Sequence, residues 1–123
     1  HLKNIYTPPE LQIITFDAAK LGPTHLPIGC EAFNTSVCGL NSDAHLKSII
    51  ENNITHIDIS KASADICAVV RANKKKSTKG ILLECTNLPP YKTDIRRISD
   101  VPIYDILTAI EKELPDSVNP YFL

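Results

Sequence analysis

An open α/β fold, with a mostly parallel sheet and flanking helices, is predicted by three features of this chain. The apolar run Ile81 to Leu83 lacks polar alternation, which suits a strand covered on both faces, and Leu11 to Phe16 also reads as a strand. The segments between them carry apolar residues three and four apart, the spacing of an amphipathic helix. The two patterns alternate along the chain, and that alternation is the mark of α/β architecture. No repeat or low-complexity linker interrupts them, and 123 residues suit one domain burying roughly two-thirds of its extended surface.

Residues 1 to 10 read as an extended arm stopped by Pro8 and Pro9. Leu11 to Phe16 makes the first strand, and the Asp17 carboxylate can cap the turn through Ala18, Ala19 and Leu21. Gly22-Pro23 and Pro27 to Gly29 mark turns, and Phe33 to Leu40 supplies a weaker strand ending near Gly39. Ser42 or Asp43 is expected to cap a helix that puts Leu46, Ile49 and Ile50 on one face and stops near Asn52-Asn53. A longer helix is predicted from about Asp58 to Lys76, with Ile59, Ala62, Ile66, Val69 and Val70 near one face. The Lys74 to Lys76 run then falls where cations favour a helix C-terminus, which accounts for it without nucleic acid. Gly80 to Cys85 is the next strand, followed by a helix from Tyr91 to Ser99 with Ile95 and Ile98 inward. Val101 to Tyr104 is a short strand, and Asp105 can cap a last helix carrying Ile106, Leu107, Ile110 and Leu114 at helical spacing.

Composition narrows the function. With 43% hydrophobic and 22% charged residues and a net charge of -1, the chain has no field to gather nucleic acid or an anionic membrane. Its apolar runs are too short for a membrane span of ~20 residues, and HLKNIYTPPE lacks the apolar core of a signal peptide, so a cytoplasmic location is expected. The sequence begins at His1 and contains no methionine, so a fragment or a processed product is expected. Cys30, Cys38, Cys67 and Cys85 contain no Cys-x-x-Cys pair, which argues against zinc and for free thiols. Cys30, Cys38 and Cys67 are read as packing residues, and the histidines as surface residues without a triad partner.

The most informative stretch is Leu82 to Pro90, where an apolar run ends in a thiol, a hydroxyl and an amide before two prolines. In open α/β sheets ligands bind outside the carboxyl ends of strands, so Cys85 stands where chemistry is expected. The competing reading is a structural cysteine at the end of a buried strand. Thr86 and Asn87 can donate hydrogen bonds to a carboxylate, although both are also common turn residues. Asp17 and Ala18 reach the same edge if the two strands are parallel, with helix capping the alternative for Asp17. Glu84 should point away from Cys85, because successive strand side chains face opposite ways, and is assigned to lobe or subunit contacts.

The stretch ILLECTNLPPY, followed ten residues on by VPIYDILTAI, resembles the C-terminal signature of the aspartate/glutamate racemase superfamily. The likeness extends back through ICAVVRA (66 to 72), CGLNSDAHLKSII (38 to 50) and IITFDAAKLGPTHL (13 to 26). It implies one lobe of a two-lobe fold: residues 1-100 as a racemase-like second lobe, and 101-123 as a tail that returns to the first lobe. It further implies Cys85 as a catalytic acid/base at the substrate Cα, with Thr86, Asn87, Asp17 and Ala18 around a small carboxylate or amino-acid substrate, and no cofactor or metal. A thiol suits such chemistry, since an unperturbed pKa of ~8.5 can be moved toward neutrality. Nothing here matches a first-lobe cysteine, so the chain alone is expected to racemise poorly, and its tail to dock on a second copy as a homodimer or on a bound N-terminal half. Hydantoin racemisation, maleate isomerisation and malonate decarboxylation occur in related families, and the resemblance does not choose among them. The alternative is a non-catalytic α/β module for binding or assembly.

Overall fold

A computed structural model describes residues 1–123. Four strands, β1 (Leu11–Thr15), β2 (Val37–Gly39), β3 (Gly80–Leu83) and β4 (Ile103–Tyr104), form a single sheet in the order β2-β1-β3-β4, with every neighbouring pair parallel. Four α-helices, α1 (His45–Glu51), α2 (Ile59–Asn73), α3 (Lys92–Arg96) and α4 (Ile106–Glu113), complete the open α/β architecture expected from the sequence. The register sets Ile14 beside Cys38 and Leu83, and Ile81 beside Ile103. β1, with neighbours on both sides, is buried over its whole length.

One face of the sheet carries the main core. Ile14, Ile81 and Leu83 pack with Ala62, Ile66, Val69 and Val70 of α2 and with Ile95 of α3. Full burial of each such aliphatic side chain contributes roughly 1.5–3 kcal/mol before entropy. The opposite face is thinner: Leu11, Ile13 and Phe33 form a small cluster, joined by Leu2, Tyr6, Leu26, Cys30, Val37 and Leu82. Cavities of about 310 and 260 Å³ flank Leu82 on that side. The arm closes part of it: the Tyr6 hydroxyl bonds Tyr104 at 2.9 Å, and burial with that partner raises the Tyr6 pKa to about 12. A Cβ at Gly80 would stand 3.0 Å from the Tyr6 ring, so glycine gives the arm its seat on β3.

Several boundaries differ from the sequence expectation, each for a local reason. The arm is not extended, because Leu2–Asn4 and Pro8–Glu10 are 3₁₀ turns. Most of the Phe33 to Leu40 strand is a 3₁₀ segment, Glu31–Ser36, that carries Phe33 onto Leu11 and Ile13 before β2 begins. Neither Ser42 nor Asp43 caps α1; the His45 N–H is bonded by the Asp65 carboxylate of α2 at 2.7 Å. α2 ends at Asn73, whose side-chain amide donates to the Val69 carbonyl, so Lys74 to Lys76 lie beyond the helix. Lys74 instead donates to Ser99 at 3.0 Å. The expected 91–99 helix is a 3₁₀ turn, Pro89–Tyr91, running into the short α3, which i→i+3 bonds close at Arg97 and Ile98. β3 stops at Leu83, so Cys85 lies in the following loop. His45 is half-buried, its Nε2 accepting the Asp58 N–H at 2.8 Å. As expected, Asp105 caps α4, accepting the Thr108 N–H at 2.8 Å.

Candidate functional site

The sheet order makes a switch point at one place, between β1 and β3. From β1 the chain runs to β2 on one side, and from β3 to β4 on the other, so the outgoing loops of two adjacent parallel strands diverge. Such a switch point is where open α/β sheets receive ligands. Asp17 and Ala18 follow β1 there, and Cys85, Thr86 and Asn87 follow β3, so the five residues singled out from the sequence stand at the carboxyl ends of the same two strands.

Cys85 is a free, half-buried thiol whose inner side packs against the main core. The Asn87 amide lies 3.7 Å from its sulfur, and the Leu88 N–H donates to the Cys85 carbonyl at 3.0 Å, closing a tight turn. Leu88 and Pro89 are buried, which anchors the far side of that turn. Thr86 and Asn87 are exposed, and Thr86 edges a groove of about 360 Å³ shared with Pro89, Pro90, Ile106, Leu107 and Phe122. Cys85 is not among that groove's lining residues, so the thiol opens beside the groove and not inside it.

Asp17 behaves as a turn residue. Its carboxylate accepts the Ala19 N–H at 3.0 Å and pairs with Lys47 at 3.6 Å and Lys20 at 3.7 Å. Burial opposes its charge, but the Ala19 N–H and the two lysines outweigh that and hold its pKa below the usual carboxylate range. Lys47 of α1 also lies 5.7 Å over the Phe16 ring, fixing the β1 loop against α1. Ala18 packs tightly on Gly39, where an added Cβ would stand 2.6 Å from the Ala18 nitrogen. The β1 loop can therefore cross the end of β2 only over a glycine.

Three further charged side chains stand at the same sheet edge. Glu84, one residue past β3, is exposed, and its carboxylate accepts the Thr15 hydroxyl of β1 at 2.7 Å. That contact ties the end of β3 to β1. Lys92 and Asp105 form an ion pair at 2.8 Å with side chains only 4% and 0% exposed. Neither of the two contacting atoms has an aligned hydrogen bond, so the close N–O distance marks a charge contact. The pair ties the loop after β3 to the start of α4. Asp105 was legible as a cap, but nothing in the sequence around Lys92 marks it as a buried cation. Burial raises the Cys38 and Cys67 thiols above their ordinary pKa, consistent with packing residues.

No known protein family and no solved structure matches the chain. Over 57 residues, or 45% of this chain, it is 30% identical to dimethylsulfoniopropionate lyase 5 of Emiliania huxleyi (strain CCMP1516). The matched stretch covers 11% of that relative's length, so the chain corresponds to a small part of it.

Proposed function

We propose that this chain is part of a cofactor-independent enzyme, racemase-like in chemistry, that moves a proton at the carbon beside the carboxylate of a small substrate, with the Cys85 thiol as acid/base. The observation that carries the reading is the position of a free, half-buried thiol at the switch point between β1 and β3, with the Asn87 amide beside its sulfur. Thr86 and Asn87 supply donors for the carboxylate, while Asp17 and Ala18 form the opposite rim. The name of the Emiliania huxleyi relative describes a lyase of a small carboxylate, and loss of a proton next to a carboxylate is a step that an eliminating lyase and a racemase can share. Four free cysteines fit a reducing compartment such as the cytoplasm, and no helix is long and apolar enough to cross a membrane.

Inversion needs a second acid/base group on the other face of the carbon, and burial keeps Cys38 and Cys67 poorly suited to that role. The isolated chain is therefore expected to exchange the proton without efficient inversion. The test is proton NMR in D₂O with aspartate, glutamate and dimethylsulfoniopropionate. Loss of the signal beside the carboxylate, abolished by Cys85→Ser, supports the reading. No exchange with any of the three, or exchange indifferent to Cys85→Ser, overturns it. A non-catalytic binding or assembly module is the second reading, favoured by the exposed Ile106 and Ile110 of α4 and Leu114 just after it.

A further inference from the structure

The thin face of the sheet carries two recesses that the Cys85 chemistry does not use. Protein interiors leave few voids larger than a water molecule, yet cavities of about 310 and 260 Å³ lie here, sharing His1, Leu2 and Leu82 in their walls. The smaller recess is walled by Leu11, Ile13 and Leu82 of the sheet, by Leu2 of the arm, and by Leu26 and Phe33 from the segment before β2. Its charge is one-sided: Lys3 and the His1 ring line it, and no carboxylate does. Neither Lys3 nor Lys112 has a carboxylate within ion-pair distance. Lys3 reaches the Ile28 carbonyl at 3.4 Å, a weak contact, and Lys112 stands 2.9 Å from the His1 ring, itself a basic group. In the larger recess Asp105 is taken up by Lys92 and the Thr108 N–H, and Glu113 is exposed. A negative ligand group therefore belongs at the Lys3 and His1 end.

We infer that this face binds a medium-chain carboxylate, with its alkyl chain against Leu82 and its carboxylate between Lys3 and His1. A cleft lined by apolar side chains with a few polar groups is the usual form of a small-molecule site, and here the polar groups are basic. They select the head. A neutral chain would leave Lys3 without a partner, and an alkyl ammonium would bring one more cation beside Lys3 and Lys112, whereas a carboxylate accepts charge-assisted bonds from Lys3 and the His1 ring. Volume selects the tail. Since an apolar cavity of about 150 Å³ takes a benzene molecule, one of 260 Å³ takes a chain of roughly ten carbons. The arm that carries Leu2 and Lys3 is tied to β4 by the Tyr6 to Tyr104 bond, so this wall of the recess is already in place before the ligand enters.

NMR titration of the chain with hexanoate, octanoate, decanoate and decanol, each below its aggregation concentration, tests the inference. From hexanoate to decanoate each added pair of carbons should tighten binding about tenfold, and amide shifts should map to Leu2, Phe33 and Leu82. Lys3→Met should weaken decanoate by about threefold to tenfold and leave decanol within about twofold. Leu82→Phe fills the recess and should weaken decanoate and decanol alike, by about tenfold or more. Lys3 is exposed on the arm, so Lys3→Met reads the head even where Leu82→Phe disturbs the sheet. No binding of decanoate at millimolar concentration, or decanol bound as tightly as decanoate, overturns the inference. So does decanoate binding that is indifferent to Lys3→Met, or shifts confined to the exposed Ile106, Ile110 and Leu114.

Discussion

At the residue scale, the groups that matter divide by whether their neighbours are near in sequence. Cys85, Thr86 and Asn87 were legible because an apolar run ending in polar residues and two prolines is a local pattern, and it leads to a switch point. Lys92 was not, because only the fold brings it within 2.8 Å of Asp105. Removing one member of a buried pair strands the other charge, which typically costs about 3–5 kcal/mol. Lys92→Met should therefore lower unfolding stability by roughly that amount in urea titrations. The double variant Lys92→Met/Asp105→Asn should be less destabilised than the single one, since asparagine keeps the α4 cap without a buried charge. Gly39→Ala, by contrast, should displace the Ala18 backbone and shift the amide resonances of the β1 loop more than those of α3.

At the scale of elements, each strand and helix was legible in type but less so in extent. Helical spacing predicted α2 and α4, and the cap of α4 was read correctly at Asp105 because cap and first turn adjoin in sequence. The cap of α1 was not readable, since it comes from Asp65 on a different helix. Asp65→Ala should cost about 1 kcal/mol, as loss of a helix cap does, and should speed amide hydrogen exchange at the start of α1. Ser42→Ala and Asp43→Ala should have little effect on either measurement. The lysines after α2 were misplaced for a related reason: Asn73 and the Lys74 contacts end the helix earlier than the apolar period alone suggests.

At the scale of the whole molecule, the two faces of the sheet are unequal. α2 and α3 close one face, while the other holds cavities beside Leu82, and α4 leaves Ile106, Ile110 and Leu114 exposed. Contiguous apolar surface of this kind promotes association. Light scattering across micromolar concentrations should show self-association that Ile110→Lys weakens. β4 nevertheless pairs with β3, so residues 103–104 of the tail lie in the chain's own sheet.

The arm gives the molecule an acid-sensitive clasp. A bond from Lys79, then the Thr7 N–H and hydroxyl, lowers the Glu10 pKa to about 2. Because that value lies below the ordinary ~4.3, the stabilisation is complete above about pH 4.3 and disappears as pH falls through about 2. Glu10→Gln should flatten the loss of stability across that window, as measured by urea unfolding at a series of pH values.

The central claim of the proposed function is that a small carboxylate binds against Cys85 at the switch point between the ends of β1 and β3. Alkylation with iodoacetamide, followed by peptide mass mapping with and without aspartate or dimethylsulfoniopropionate, tests it most directly. The account predicts that Cys85 is modified ahead of the buried Cys67 and that at least one of these ligands slows its modification selectively. An equal rate of Cys85 labelling with and without each ligand at millimolar concentration would contradict it.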